Sequence, residues 1–140
     1  MEHDPNVIAP PAGGITAAWR ATIVVVWVGV AIGMASVWSA SRQVGLSTWW
    51  LGPPTDGRPA VVALAVFIPA AVVLVAAAVV QRFLWLTAVI AGLVVTVIGS
   101  GDIGRVDGLA IVQIALGAAG AATGIAALSG TARRASTRSR

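Results

Sequence analysis

Four uncharged, strongly apolar stretches divide the chain, and each is long enough to form a helix that crosses a bilayer. They cover residues 21–41, 59–80, 83–101 and 108–132. About 20 helical residues, at 1.5 Å each, span a hydrocarbon core roughly 30 Å thick. These continuous runs lack the alternation that is typical of strands in membrane barrels. The pattern therefore predicts an all-α integral membrane protein with four transmembrane helices.

The second and third stretches are predicted to be separate helices. Only Gln81 and Arg82 lie between them. A single helix over residues 59–101 would be about 65 Å long, twice the bilayer. The chain should therefore turn at these two residues and form a tight hairpin within an antiparallel up-down bundle. Pro69 lies in the middle of the second stretch, where we expect it to kink the helix and free a carbonyl.

Polar segments flank this transmembrane domain, which is predicted to cover residues 19–132. Residues 1–18 contain several prolines and glycines and are expected to form a disordered cytoplasmic arm. Residues 133–140 form a basic cytoplasmic tail, which should lie on anionic headgroups. The motif around Ser136 is typical of basic-directed kinase sites, although such arginines also fix topology. Cleavage of the first stretch as a signal peptide is the disfavoured alternative, because its apolar run exceeds the usual length.

The arginines predict the orientation of the four helices. All nine basic residues are arginine. An even number of spans places both termini and the 81–82 turn on one side of the membrane. That side would carry Arg20, Arg82, Arg133, Arg134, Arg138 and Arg140, and the other side Arg42, Arg58 and Arg105. Because arginine is enriched in cytoplasmic segments, both termini are predicted to be cytoplasmic at the cell membrane.

Composition argues against several classes of function. Only 10% of the residues are charged, against about 25% in soluble domains. Cysteine is absent, and the single histidine, His3, lies in the polar N-terminal segment. The arginines lie at the ends of apolar stretches, which argues against nucleic acid as a partner. Asp102 and Asp107 offer too few ligands for calcium, and Asp107 is interpreted as the N-cap of the fourth helix. We therefore predict no enzyme activity, no cofactor and no metal.

Small and polar residues inside the stretches indicate where helices touch. Gly29 and Gly33 form a GxxxG motif in the first stretch, and glycines recur at helical spacing in the fourth. Such ridges let helix backbones approach closely in lipid. Gln113 would be costly facing lipid and should hydrogen-bond to another helix. The candidate packing or partner interface comprises Gly29, Gly33, Gln113, Gly117, Gly120 and Gly124. Packing within the monomer is favoured over a seam between chains.

Trp49 and Trp50 follow the first stretch on the external side. Tryptophan is enriched at membrane–water interfaces, where the ring lies in the acyl boundary and the indole N–H in the headgroups. The favoured interpretation is therefore an interfacial anchor. The alternative is an external recognition loop, in which the two rings stack on a lipid headgroup, a sugar or a partner's side chain.

No ionisable residue lies inside the four predicted spans. The chain shares its size and span count with small four-helix multidrug exporters but lacks their buried glutamate. Its Ala, Val and Gly content and its layout resemble those of small four-helix membrane proteins of high-GC Gram-positive bacteria, a resemblance that implies no functional residues. We expect a non-enzymatic accessory or scaffold component that contacts the lipid bilayer and another membrane protein or itself. The alternative is a transporter or lipid-binding module with an uncharged cavity near Pro69 and Gln113.

Overall fold

The computed structural model describes residues 15–53, 55, 59–80 and 82–130, and these residues fold into helices joined by short turns. The helices are α1 (Ala17–Val44), α2 (Ala60–Ala65), α3 (Ile68–Val79), α4 (Leu84–Ser100) and α5 (Asp107–Ala127), followed by a 3₁₀ turn at Leu128–Gly130. No β-strand occurs in these described ranges. The predicted all-α class is confirmed.

Two of the helices are long and apolar enough to cross a membrane. They are Ala17–Val44, with 28 residues, and the α5 segment extended to Gly130, with 24 residues. α1 begins four residues before the predicted stretch. Ile15 is buried, and the Thr16 amide donates to the Gly130 carbonyl at 3.3 Å. Residues 15 and 16 therefore pack on the 3₁₀ turn after α5, and residues 17 and 18 belong to α1.

Two predicted segments lie outside the described residues. They are the rest of the N-terminal arm, residues 1–14, and the basic tail, residues 133–140, with Ser136.

The predicted second helix is interrupted in its middle. α2 ends at Ala65 and α3 begins at Ile68, so that two residues separate them. Pro69 has no N–H to donate to the carbonyl of Ala65, and its ring crowds that carbonyl. The Phe67 amide closes a tighter turn by donating to the Leu64 carbonyl at 3.0 Å. At the kink expected from Pro69, the helical hydrogen-bond pattern is therefore interrupted at Val66 and Phe67, although both residues keep right-handed helical dihedral angles.

α4 and α5 pack with their backbones in contact. A Cβ atom added at Gly92 would lie 2.6 Å from the Gly117 carbonyl oxygen, and one added at Gly99 would lie 2.7 Å from Cβ of Gln113. Gly92 precedes Gly99 in α4, whereas its neighbour Gly117 follows Gln113 in α5. The two helices therefore run antiparallel, and only glycine fits at their closest approach.

The other face of α5 packs against α1, and α3 contacts both α1 and α4. Gly33 of α1 lies under the Leu116 side chain, and Gly120 of α5 lies under the Trp27 ring. Gly29 is different, because it is exposed and an added Cβ would meet no atom within 4 Å. Of the predicted GxxxG pair, the half-buried Gly33 therefore packs against α5, whereas Gly29 lies on the surface.

The close approach of α4 and α5 makes Gly117 intolerant of a side chain. A Cβ at this position would meet backbone atoms of Thr96 and Gly92. We expect Gly117→Ala to lower the free energy of unfolding by about 1–3 kcal/mol, because the helices must separate. Gly29→Ala is the matched control and should leave stability unchanged or slightly raised. Helical circular dichroism during titration from mild detergent into dodecyl sulfate measures both variants. Equal stabilities would contradict this account of the contact.

Candidate functional site

A buried polar cluster lies where the connection between α4 and α5 meets residues 46–52. It consists of Trp49, Trp50, Asp102 and Gln113, and we call it the Asp102 cluster. Asp102, Gln113 and Trp50 are each 0% exposed, although the sequence placed Asp102 and Trp50 in external loops. The cluster brings residues from three parts of the chain into one hydrogen-bonded group.

Asp102 lies at the centre of the cluster. One carboxylate oxygen accepts a hydrogen bond from the Trp49 amide at 2.7 Å, and the other accepts one from the Gln113 side-chain nitrogen at 2.9 Å. No arginine among the described residues forms an ion pair with it. A carboxylate removed from water is costly unless hydrogen bonds replace its hydration. Its two donors are therefore what make the buried position tolerable.

Gln113 joins Asp102 to Trp50. Its side-chain nitrogen donates to Asp102 and, at 3.3 Å, to the Leu109 carbonyl, while its side-chain oxygen accepts from the Trp50 indole at 3.1 Å. α5 carries this amide into the interior because Gly99 leaves room for it on the facing helix. Gln113 therefore bonds to a loop tryptophan and an aspartate of the same chain.

Trp49 caps the C-terminal end of α4. Its indole nitrogen donates to the Ile98 carbonyl at 2.8 Å, and its ring lies against Gly101. The last carbonyls of a helix lack partners within that helix, and the indole supplies one. Trp49 thus holds the loop to α4 through its side chain and to Asp102 through its backbone amide.

The end of α1 turns the chain towards the cluster. Gly45 adopts a left-handed conformation, with φ 69°, which a residue with a Cβ atom rarely accepts. The Ser41 hydroxyl donates to the Leu46 carbonyl, and Arg42 donates to the Leu51 carbonyl at 3.2 Å. These bonds fix both ends of the turn that carries the tryptophans.

Aromatic rings occupy the region where the sequence predicted a cavity near Pro69 and Gln113. Trp50, which bonds to Gln113, contacts Trp38 edge-on with ring centroids 6.1 Å apart. Trp38 in turn lies 6.1 Å from the ring of Phe67, two residues before Pro69. The groove that Pro69 lines is bounded by α3 and α4 and does not include Gln113. In the described part of the chain, packed rings from α1, the loop and Phe67 therefore lie between Gln113 and the neighbourhood of Pro69.

The hydrogen-bonding capacity of the Asp102 cluster is used within the chain. Both Asp102 oxygens, both ends of the Gln113 amide and both indole nitrogens have partners. Within the described residues, no group of three or more His, Cys, Asp or Glu side chains is placed to hold a metal ion. The geometry therefore fits a structural role, in which the cluster holds the loop at residues 46–52 against α4 and α5.

Two buried polar side-chain atoms have no hydrogen-bond partner in the part of the chain that the structure describes. They are the Thr48 hydroxyl, next to Trp49, and the Trp27 indole nitrogen. Trp27 lies deeper in the helix bundle, against Gly120.

The predicted site residues are therefore distributed over three environments. Gly33, Gly117, Gly120 and Gly124 pack inside, Gln113 joins the Asp102 cluster, and Gly29 faces outwards. Trp50 has no exposed surface with which to contact a ligand, and recognition by the half-buried Trp49 stays a prediction. The sequence did not predict the burial of Asp102, although the nearby Gly99 and Gly101 indicate close packing.

The interpretation of Asp107 as an N-cap is also corrected. α5 begins at Asp107 itself, with Val106 as the N-cap. The carboxylate accepts from the Gly104 amide, in the preceding turn, at 2.7 Å. Asp107 therefore stabilises the turn before α5 and does not cap amides of the helix.

Removing the Gln113 amide should destabilise the fold. Gln113→Leu would leave the Trp50 indole and one Asp102 oxygen buried without partners, at a cost of about 1–3 kcal/mol. Gln43→Leu is the matched control, because Gln43 is exposed and donates only to Ser39. The control should change the unfolding free energy by about 0.5 kcal/mol or less. Denaturation followed by circular dichroism separates the two, and equal losses would show that the buried bonds contribute nothing.

Removing the Asp102 carboxylate should release the loop locally. In Asp102→Ala the Trp49 amide loses its acceptor, and a hydrogen bond to a charged group contributes about 1.5–3 kcal/mol. Hydrogen exchange at Trp49 should therefore accelerate roughly tenfold or more. Asp107→Ala, which frees the Gly104 amide instead, should leave exchange at Trp49 unchanged. Unaltered Trp49 protection in Asp102→Ala would refute the assignment of Asp102 as the anchor.

Comparisons of the chain with protein-family models, with curated proteins and with solved structures found no match.

Proposed function

We propose that the chain is a multi-pass protein of the cell membrane that crosses the bilayer four times in up-down order, with both termini in the cytoplasm. Two helices have the length and composition for this, and the region of α2 and α3, residues 60–79, is about 30 Å long at 1.5 Å per residue. The antiparallel contacts of α5 with α4 and α1 are compatible with that order. The six arginines assigned to the cytoplasmic side support the orientation.

Within this arrangement, we propose a non-enzymatic role as an accessory or scaffold component of a membrane complex. The observation that carries the proposal is a stripe on the exposed face of α1. Its positions alternate in steps of four and three residues, and every one is exposed: Ala18, Thr22, Val25, Gly29, Ile32, Ser36, Ser39 and Gln43. We call this set the α1 stripe. Such spacing forms a seam along which a second helix packs.

The chemistry of the α1 stripe differs from that of the outward faces of α3 and α4. The outward faces of α3 and α4 carry large aliphatic side chains, such as Val75, Leu93 and Val97. The stripe instead has a glycine with open space beside it and three hydroxyl side chains. Helix interfaces in membranes are enriched in small and hydroxyl residues, because these allow close backbone approach. The stripe is therefore suited to a partner helix.

The proposed role also agrees with the use of polar groups elsewhere. The side-chain oxygens and nitrogens of the Asp102 cluster each have a hydrogen-bond partner within the chain. Proton or ion coupling generally uses an ionisable group that faces a pathway. The buried carboxylate of Asp102 holds a loop of its own chain, which favours a role in holding other components over one in moving a solute.

Enlarging Gly29 should break the partner contact without damaging the fold. Gly29→Ile adds a branched side chain at the centre of the α1 stripe, where an added Cβ meets nothing in the monomer. We expect a roughly five- to thirtyfold loss of a co-purifying membrane protein, because an interaction between membrane helices contributes on the order of 1–2 kcal/mol. In-membrane crosslinking of the tagged chain at native expression, followed by mild-detergent pull-down, measures this loss.

Gly108→Ile provides the matched control. Gly108 is also an exposed helical glycine with open space around it, but it lies on α5, away from the stripe. It should retain the partner fully. If Gly29→Ile retains the partner as well, the stripe is not the interface. Recovery of the wild-type chain alone or only with itself would reject the accessory role.

A further inference from the structure

The break at Pro69 leaves an apolar groove on the outside of the molecule between α3 and α4. Its volume is about 290 Å³, and its lining includes Pro69, Val72, Ile90, Ala91 and Val94. Small-molecule sites generally begin at about 300 Å³ and are mostly apolar. We call it the α3–α4 groove. Its size fits a hydrocarbon chain, whereas a helix with its side chains is about 10 Å across.

The groove continues along α3 as a shallow depression. Val72 belongs to both, and the depression extends past Val75 and Val79 to Val80. The distance from Ile68 to Val80 is about 18 Å along a helix axis, which is close to half of a hydrocarbon core roughly 30 Å thick. The combined apolar path therefore has the length of one leaflet.

A cation lies just beyond the end of this path. Arg82 follows Val80 by two residues and is exposed, and its guanidinium carbon lies 5.5 Å from the centroid of the Phe83 ring. Contact with an aromatic face holds an arginine near the membrane surface. Guanidinium groups bind phosphate oxygens through paired hydrogen bonds. An apolar path of one leaflet's length that ends at an arginine is complementary to an anionic phospholipid.

We propose that the α3–α4 groove and the depression along α3 bind one acyl chain of an anionic phospholipid, with Arg82 at its headgroup. This inference rests on the proposed placement of the four helices in the bilayer. The phospholipid belongs to the leaflet that faces the 81–82 turn. Its acyl chain passes the valines of α3 and ends beside Pro69, where the interrupted helix opens the groove.

The experiment uses the full chain in phosphatidylcholine nanodiscs that contain phosphatidylglycerol with a diazirine in its acyl chain. After irradiation, mass spectrometry locates the label. We expect it to concentrate on α3 and α4, and labelling by phosphatidylglycerol to exceed that by a phosphatidylcholine probe about fivefold, because one arginine near the surface supplies that factor. Arg82→Gln should abolish the preference, and Arg105→Gln, at the opposite end of α4, should retain it.

Filling the groove supplies the second test. Val94→Trp places a large ring in the groove and should remove the concentrated label, whereas Val97→Trp, on the same helix but outside the groove, should retain it. Equal labelling by the two lipids, unchanged labelling in Val94→Trp, or label spread evenly over every exposed helix would overturn the proposal. Absence of acyl-chain label from the whole protein would instead reject the membrane placement itself.

Discussion

Direct contact between the backbones of α4 and α5 determines how the rest of the structure is arranged. Gly92 and Gly117 remove the side chains that would hold the helices apart, and Gly99 gives room to Gln113. Only at that separation does the Gln113 amide lie within 2.9 Å of Asp102. Asp102 then holds the Trp49 amide, and Gln113 holds the Trp50 indole. The position of the loop at residues 46–52 thus depends on glycines in two helices.

Polar groups are used in two different ways. Those of the Asp102 cluster are buried and hydrogen-bonded to one another. They join the loop at residues 46–52 to α4, α5 and the turn between them. The hydroxyls of the α1 stripe are exposed, and Thr22 and Ser36 bond back to carbonyls of their own helix. A hydroxyl that donates to a carbonyl of its own helix is a small side chain with no unpaired donor. Hydrogen bonds therefore hold the buried end of the molecule together, whereas the exposed face of α1 is distinguished by its small side chains, as the proposed contact with a partner helix requires.

Apolar runs were sufficient to predict an all-helical chain, and they gave both ends of α4 and the start of α5 to within one residue, although α5 ends at Ala127, five residues before the predicted end. Pro69 predicted where the second run is disturbed, because a missing N–H acts locally. The direction in which Gly29 and Gly33 point was not predictable, since four residues along a helix separate them by about 40° and packing decides which one is inside. Asp102 was missed because hydropathy assigns a charged residue in a Gly-rich turn to water. Its burial depends on Trp49 and Gln113, far away in the sequence.

The hydrogen bonds of the Asp102 cluster also determine when, during synthesis of the chain, the loop at residues 46–52 can reach its final position. Trp49 and Asp102 are 53 residues apart, and Trp50 and Gln113 are 63 residues apart. Ribosomes add about 5–20 residues per second, so the acceptors for this loop emerge about 3–13 s after it. During that interval α1 has no α5 to pack against, and Trp27 has no Gly120 beneath it. Among the described helices, α1 therefore waits longest for its final neighbour, and under the proposed membrane placement its inner face is exposed to the bilayer until α5 is made.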